Sequence, residues 1–286
     1  MSAVPAAPAA ISVVVPVYNE ERCLPACLAS LRAQDAGDLE ILVVDDGSVD
    51  RSVAIAEAAG VRVLRQDHRG PGAARNRGAR EARGGVLVFA DADMVLAPDY
   101  VSRLVAPIVA GEAVGTCHWD ELVLNWESPW ARAQTHYLGL PERRKQPLEA
   151  PAHEEVFRAI RRDFFLAAGG FTEGAGRADD ASLSRRTGAV ARIVRGARCY
   201  HRGPDSFGEV VREAVWHGQN VAVDPTHRVR RAVATLLLRN PLGETCRGLA
   251  RGVRRREPSV PVYALGYSLG FACGVLYALA TRRYVK

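Results

Sequence analysis

Paired cysteines are the first thing this 286-residue chain lacks. Its six cysteines, at 23, 27, 117, 199, 246 and 273, contain no Cys-x-x-Cys and no metal-ligand rhythm. They read as small buried apolar residues in a reducing compartment, which argues against a zinc site and a disulfide framework. No Gly-x-Gly-x-x-Gly follows the first apolar run; Pro16-Val17-Tyr18-Asn19 stands there instead, so a dinucleotide-binding dehydrogenase is not expected. Residues 1–10 have neither a basic nor an apolar stretch, so a signal peptide is not expected and they read as a short disordered lead. Acidic residues are scarce at one end only: residues 228–286 hold 12 Lys/Arg against 2 Asp/Glu, whereas residues 101–227 balance at 16 each.

What is present begins with a regular alternation of element types. Short apolar runs at 11–17, 41–45, 61–65, 86–91 and 113–119 read as strands, and the segments 20–34, 50–59, 71–83 and 98–110 between them read as helices. Such a series gives an α/β fold with a mostly parallel sheet flanked by helices, because continuous apolar strands need cover on both faces. Leu24, Cys27, Leu28 and Leu31 line one helix face, with Asn19 a candidate N-cap; Asp50 would start the second helix and Gly60 end it, and Pro71 opens the third. From 120 to about 155 the sequence is polar, aromatic and proline-punctuated, and no element is assigned. A strand at 190–194 and an amphipathic helix from Phe207 through Val215 follow.

Two acidic clusters stand at strand ends: Asp45-Asp46-Gly47-Ser48 after Ile41–Val44, and Asp91-Ala92-Asp93 after Val86–Ala90. Open α/β sheets bind ligands outside these carboxyl ends. Crowded carboxylates call for a cation, and Asp-x-Asp suits a hard ion, Mn²⁺ or Mg²⁺, which keeps coordination sites for substrate phosphates.

Val13 to Glu20, Asp45-Asp46-Gly47-Ser48 with Asp50, Gly70-Pro71-Gly72-Ala73-Ala74-Arg75-Asn76-Arg77-Gly78, and Asp91-Ala92-Asp93, in that order, resemble the family 2 glycosyltransferases of GT-A fold. The resemblance covers roughly residues 11–220. It implies a nucleoside-diphosphate sugar donor, a divalent metal and transfer with inversion at the anomeric carbon. By resemblance Asp93 is the direct metal ligand and Asp91 lies nearer the ribose or a metal-bound water. Asp45 would bond the nucleobase, Asp46 and Ser48 would shape its pocket, and Pro16, Tyr18 and Glu20 would line it. Arg75 would contact base or phosphates. Gly169-Gly170-Phe171 followed by Asp179-Asp180-Ala181-Ser182-Leu183 resembles the family's Gly-Gly-Phe…Glu-Asp-x-x-Leu, which makes Asp180 the catalytic base; Asp179 replaces the usual Glu, and Ser182 stands where relatives often carry an acid. His201 falls where many relatives place a metal- or diphosphate-contacting histidine. Arg161 and Arg162 are candidates to meet phosphate or a merely solvated pair.

Residues 260–280 carry no charge over 21 positions, long enough to cross a bilayer, with a buried helical hairpin as the alternative. Arginines before this segment outnumber the basic residues after it, so the large domain, 11–227, is expected in the cytoplasm, held at the cell membrane by residues 228–286. Its halves would be 11–119 for the donor and 120–227 for acceptor and base. Ala232–Leu238 is a candidate interfacial anchor. The membrane segment suggests a lipid-linked acceptor, and because the basic charge clusters beside it, nucleic acid is not expected. Two competing readings are a haloacid-dehalogenase-like phosphatase, for which Asp91-Ala92-Asp93 would be the nucleophile motif, and a catalytically silent nucleotide-sugar-binding membrane subunit.

Overall fold

In a computed structural model, the described residues are 11–174, 179–220 and 241–281. The expected lead at 1–10, the anchor at 232–238, the boundary at 227 and the last basic residues, Arg282, Arg283 and Lys286, lie outside them. The described residues divide into two compact units, the first formed by residues 11–121, 149–174 and 179–200, the second by 122–148, 201–220 and 241–281.

The first unit is built on a nine-stranded sheet. Its parallel part joins β1 (Ile11–Val17), β2 (Leu39–Asp45), β3 (Arg62–Arg65) and β4 (Val86–Phe89) in the order β3-β2-β1-β4. The strand order reverses between β1 and β4, the switch point outside which such sheets hold ligands. Beyond β4 the sheet turns antiparallel with β8 (Ala159–Arg161), which also pairs β6 (Gly115–Val123); β9 (Ala191–His201), β5 (Met94–Leu96) and the short β7 (His153–Glu154) complete it.

Strand alternation sorts side chains into two cores. Val13, Val15, Val17, Val43 and Val88 face α1 (Leu24–Arg32), α2 (Ser52–Ala58) and α4 (Tyr100–Val109); Val14, Leu42, Val44, Leu87 and Phe89 face α3 (Pro71–Glu81), α6 (Arg162–Ala167) and α7 (Asp179–Thr187). A sheet covered on both faces explains why the parallel strands read as unbroken apolar runs. Leu24, Leu28 and Leu31 are essentially inaccessible, and burying each contributes about 1.5–3 kcal/mol. α3 lies hard against β1, because a Cβ at Gly78 would sit 2.3 Å from Val14 Cγ1, and this contact fixes where the α3 side chains emerge.

Local details depart from the sequence reading. Helix α1 begins at Leu24, not near 20, and Asn19 caps nothing: it has φ +57°, which asparagine tolerates, and its Oδ1 accepts Val49 N–H at 2.9 Å. α2 begins at Ser52, with Asp50 accepting Ser52 N–H and Glu21 N–H from outside the helix. β9 is one continuous strand across Gly196, whose φ of +85° interrupts the apolar pattern.

The unassigned stretch holds the start of the second unit, including α5 (Pro129–Leu138). Ser128 caps it by accepting Trp130 and Ala131 N–H, and Gly139 ends it at φ +74°. Among the described residues the other helices there are α8 (Phe207–Asn220), α9 (Pro241–Arg255) and α10 (Ser259–Thr281). α10 is long and apolar enough to cross a membrane, and more than half of its most apolar stretch is buried within the unit.

Candidate active site

Three strand ends and two helix starts of the first unit meet at the switch point. The loops after β1 and β2 are laced together: Asn19 N–H donates to Ser48 Oγ (2.9 Å), Glu20 N–H to Ser52 Oγ (2.8 Å), and Asp46 N–H to Val17 O (2.8 Å). Ser48 is thus a loop tie and no helix cap. Pro16 lies in β1, paired in register with Val44. Asp45, buried at the end of β2, accepts Ser48 N–H at 3.1 Å. Asp46 is a hub: Gln66 Nε2, Arg69 N–H and Gly70 N–H all donate to its carboxylate at 2.7–2.9 Å, with His68 Nδ1 2.9 Å away. It therefore holds the loop that leads into α3. On that loop His68 stacks against Tyr18, ring centroids 4.0 Å apart, and Tyr18 is 46% exposed. The sequence reading gave His68 no role.

Arg75, in α3, is the centre of the site. Its side chain is 7% exposed and forks, Nη2 donating to Asp91 Oδ1 (2.6 Å) and Nη1 to Asp180 Oδ1. The second oxygen of Asp91 accepts from Arg158 Nη1 at 2.7 Å. Burial opposes the charge on both arginines, yet Asp180 and Asp91 outweigh it and hold both guanidinium pKa values above the ordinary one. Arg158 was absent from the expected site. It stands one residue before β8, locked by Arg158 N–H to Thr116 O and Phe89 N–H to Arg158 O, and this pairing delivers it to the end of β4.

Asp180 reaches Arg75 because its neighbours are tied to α3. Asp179, buried, accepts Gly72 N–H at 3.0 Å in the first turn of α3, where amide donors lack helical partners and the dipole favours an anion. It thus caps α3. Asn76 pairs both ways with Phe171, donating to its carbonyl (2.9 Å) and accepting its N–H (2.8 Å), and a Cβ at Gly170 would fall 2.4 Å from Asn76 Oδ1. Motifs about a hundred residues apart are thereby knit into one wall.

Asp93 lies in the turn after β4, and its charge falls on Glu20. Burial first, then Asp93 and Asp91, push the Glu20 carboxyl up to about 7. Among the described residues no three His, Cys, Asp or Glu side chains are grouped to hold a metal alone. Crowding of Glu20 with Asp93 and Asp91 nevertheless fits a hard divalent cation of the kind bound by one or two carboxylates plus substrate phosphates. His201 belongs to the second unit, at the end of β9, where its carbonyl accepts Leu124 N–H. Arg161 pairs with Asp163, and Arg162 donates to the Ala79 and Arg80 carbonyls at the end of α3.

Between about 4.5 and 7 the folded state binds the Glu20 proton and the unfolded chain does not, so stability falls as pH rises through that window. Glu20→Gln should stabilise the protein on the alkaline side of about 7, by no more than about 3 kcal/mol, and leave it unchanged below about 4.5. Thermal melts of both proteins across that range check the sign.

A β3-β2-β1-β4 parallel sheet continued by antiparallel strands, with carboxylates and arginines gathered at its strand mouths, matches the GT-A fold. The glycosyl transferase family 2 model matches residues 12–167, more than half of the chain, and the protein belongs to that family. The match includes Asp91-Ala92-Asp93, which the family accounts for without a phosphatase motif. Its relatives include the undecaprenyl-phosphate 4-deoxy-4-formamido-L-arabinose transferase of Pseudomonas fluorescens, 33% identical over 174 residues, 57% of this chain and 50% of that one. The chain spans about half or less of the length of the curated relatives it matches most strongly. Among solved structures, the mannosyltransferase PcManGT of Pyrobaculum calidifontis, in complex with GDP-Man and Mn²⁺, superimposes with a TM-score of 0.59 at 19% identity, covering 98% of this chain and 89% of that one. The glucosyl-3-phosphoglycerate synthase of Mycobacterium tuberculosis, with Mn²⁺, UDP and its product, gives 0.50 at 26% identity over 75% and 78%.

Proposed function

We propose that the protein is an inverting glycosyltransferase that moves a sugar from a nucleoside-diphosphate donor to a lipid-linked acceptor at the cytoplasmic membrane face. The observation that carries this is the Arg75 fork, which brings Asp91 of the Asp-x-Asp turn and the candidate base Asp180 to one guanidinium. Solved structures of the same fold hold GDP-Man with Mn²⁺ and UDP with Mn²⁺, and the Pseudomonas relative is named for an undecaprenyl-phosphate acceptor.

In this reading Asp45 meets the nucleobase in a pocket bounded by Pro16 and the Tyr18–His68 stack, while Asp46 keeps its far wall in place. Asp93 would hold a Mn²⁺ or Mg²⁺ ion beside Asp91, and the ion would neutralise the departing diphosphate. Asp180 accepts the proton of the acceptor hydroxyl as that oxygen bonds the anomeric carbon and the carbon–phosphate oxygen bond breaks. Arg75 sets the direction of the Asp180 carboxylate, and the Asn76–Phe171 pairing fixes the turn before it.

The test is nucleoside-diphosphate release from a panel of nucleotide sugars with and without Mn²⁺. One donor should be consumed, and only with the ion. Asp93→Ala should lose both turnover and the Mn²⁺-dependent rise in melting temperature that nucleotide binding produces. Metal-independent turnover, or an unchanged Mn²⁺ response in Asp93→Ala, would overturn the assignment.

A further inference from the structure

We infer that α9 and α10 dock the second unit flat on an anionic lipid surface, with α10 lying along the interface and not crossing the bilayer. The inference deepens the proposed membrane location. It is tested by vesicle binding without any sugar donor, so its failure is distinguishable from failure of the transfer reading.

The length and composition of α10 would allow a span, but its packing opposes one. Gly266, Gly270 and Gly274 recur every four residues and form a seam against α8: added Cβ atoms would meet the Phe207 ring, Val211 O and Val215 O at 2.3, 2.9 and 2.1 Å. Backbones this close are the small-xxx-small packing of tightly associated helices. The Tyr267 hydroxyl and His217 Nδ1, 2.7 Å apart, add a polar tie between the same helices. α8 also carries Glu209, Arg212 and Glu213, charges that a span would drag into hydrocarbon, where ionised side chains are strongly disfavoured. The start of α10 is covered in turn by α9, where Cβ atoms at Gly248 and Gly252 would contact Ala264 and Pro261 at 2.4 and 2.8 Å.

What these contacts leave open is one apolar arc. Val262, Leu265, Leu269 and Leu276 are 44–57% exposed, spaced three, four and seven residues apart, and so share a face of α10 that carries no charge. α9 repeats the design with charge added. Leu249 and Val253 are 55% and 72% exposed on one side, and Arg254 and Arg255 are exposed in its last turn, while Arg247 pairs with Glu244 and Arg251 turns inward onto Tyr137. Exposed apolar residues with exposed arginines at the end of the same helix are complementary to a bilayer surface, the long arginine side chains reaching anionic headgroups above the acyl chains.

The full-length protein should float with phosphatidylcholine vesicles containing phosphatidylglycerol and bind pure phosphatidylcholine vesicles far more weakly. Arg254→Gln with Arg255→Gln should lower partitioning about 30-fold, about fivefold per charge removed. Leu265→Glu with Leu269→Glu, both at exposed positions, should abolish it while circular dichroism stays unchanged. Orientation is read with nitroxide labels at Val262→Cys, Leu269→Cys and Leu276→Cys, one at a time, in a background with Cys23, Cys246 and Cys273 changed to Ser. These positions spread over about 21 Å of helix, so a flat helix reports one shallow depth and a spanning helix a steep gradient. A depth gradient overturns the inference. So does failure to bind anionic vesicles, and so does sedimentation as a dimer that Leu265→Glu disperses, which would make a second copy the cover of this face.

Discussion

Asp180→Asn is expected to slow sugar transfer by about 10²–10⁴-fold, the usual worth of a positioned general base, while donor affinity changes by no more than about threefold. The reason is geometric. Asp180 Oδ1 accepts from Arg75, so the carboxylate is anchored at one oxygen, while its side chain remains one-third exposed. Asparagine keeps an oxygen for Arg75 but has no basic site for a proton. The groups proposed to face the nucleotide are held without Asp180, Asp45 by Ser48 N–H, Asp46 by His68 and His68 by the Tyr18 ring, so the proposed donor pocket should survive. Donor affinity by calorimetry and turnover by product release separate the two effects. A donor affinity that collapses with turnover would move Asp180 into the binding site. A loss below about tenfold would mean an acceptor oxygen already ionised, as in a phosphate, which needs no base.

The site was legible in the sequence where chemistry is local and hidden where it is long-range. Strand ends announce themselves, because a fully buried strand such as Val86–Phe89 must be apolar and the first acidic residue after it marks the mouth. Pro71 declares the start of α3 for an equally local reason, its missing N–H costing nothing there. Arg158 had no such signal. It is a single charge inside the apolar run Val156-Phe157-Arg158-Ala159-Ile160, beside a three-residue strand, and its partner Asp91 is 67 positions away. The role of Asp179 was half legible: two acids opening a helix suggest a cap, but the helix that Asp179 caps is α3, which no periodicity of its own segment could reveal. α5 was overlooked for the opposite reason. Its local signals, Ser128-Pro129 at the start and Gly139 at the end, are complete, but they sit among prolines and aromatics that mask the helical period. The apolar run at 260–280 reads as a span from composition alone, since composition does not register that its glycines are seats for α8.

Arg75→Met should be the most damaging single change within the charge cluster, because one guanidinium compensates two carboxylates that no longer have it. Breaking a buried charge pair by deleting one partner costs about 3–5 kcal/mol. Here Asp91 keeps Arg158 and Asp180 has some access to water, so a loss of about 2–3 kcal/mol is expected, at or just below the lower limit of that range. At this chain length that lowers Tm by roughly 5–10 °C. Arg75→Lys should recover only part of the loss, since an ammonium cannot make two parallel bonds in fixed directions to separate acids. Adding Asp180→Asn to Arg75→Met should return about 1–2 kcal/mol by removing the stranded carboxylate, so the double-mutant cycle is non-additive. Turnover should remain abolished in the double mutant although stability rises, because the arginine that aligns the site and the base itself are both gone. Stability recovering while activity does not is the signature of a charge pair that costs folding energy to place and exists to orient a reacting group. A cycle that adds within about 0.3–0.5 kcal/mol would show that Arg75 and Asp180 do not share a bond, and the convergence on which the transfer mechanism depends would be lost.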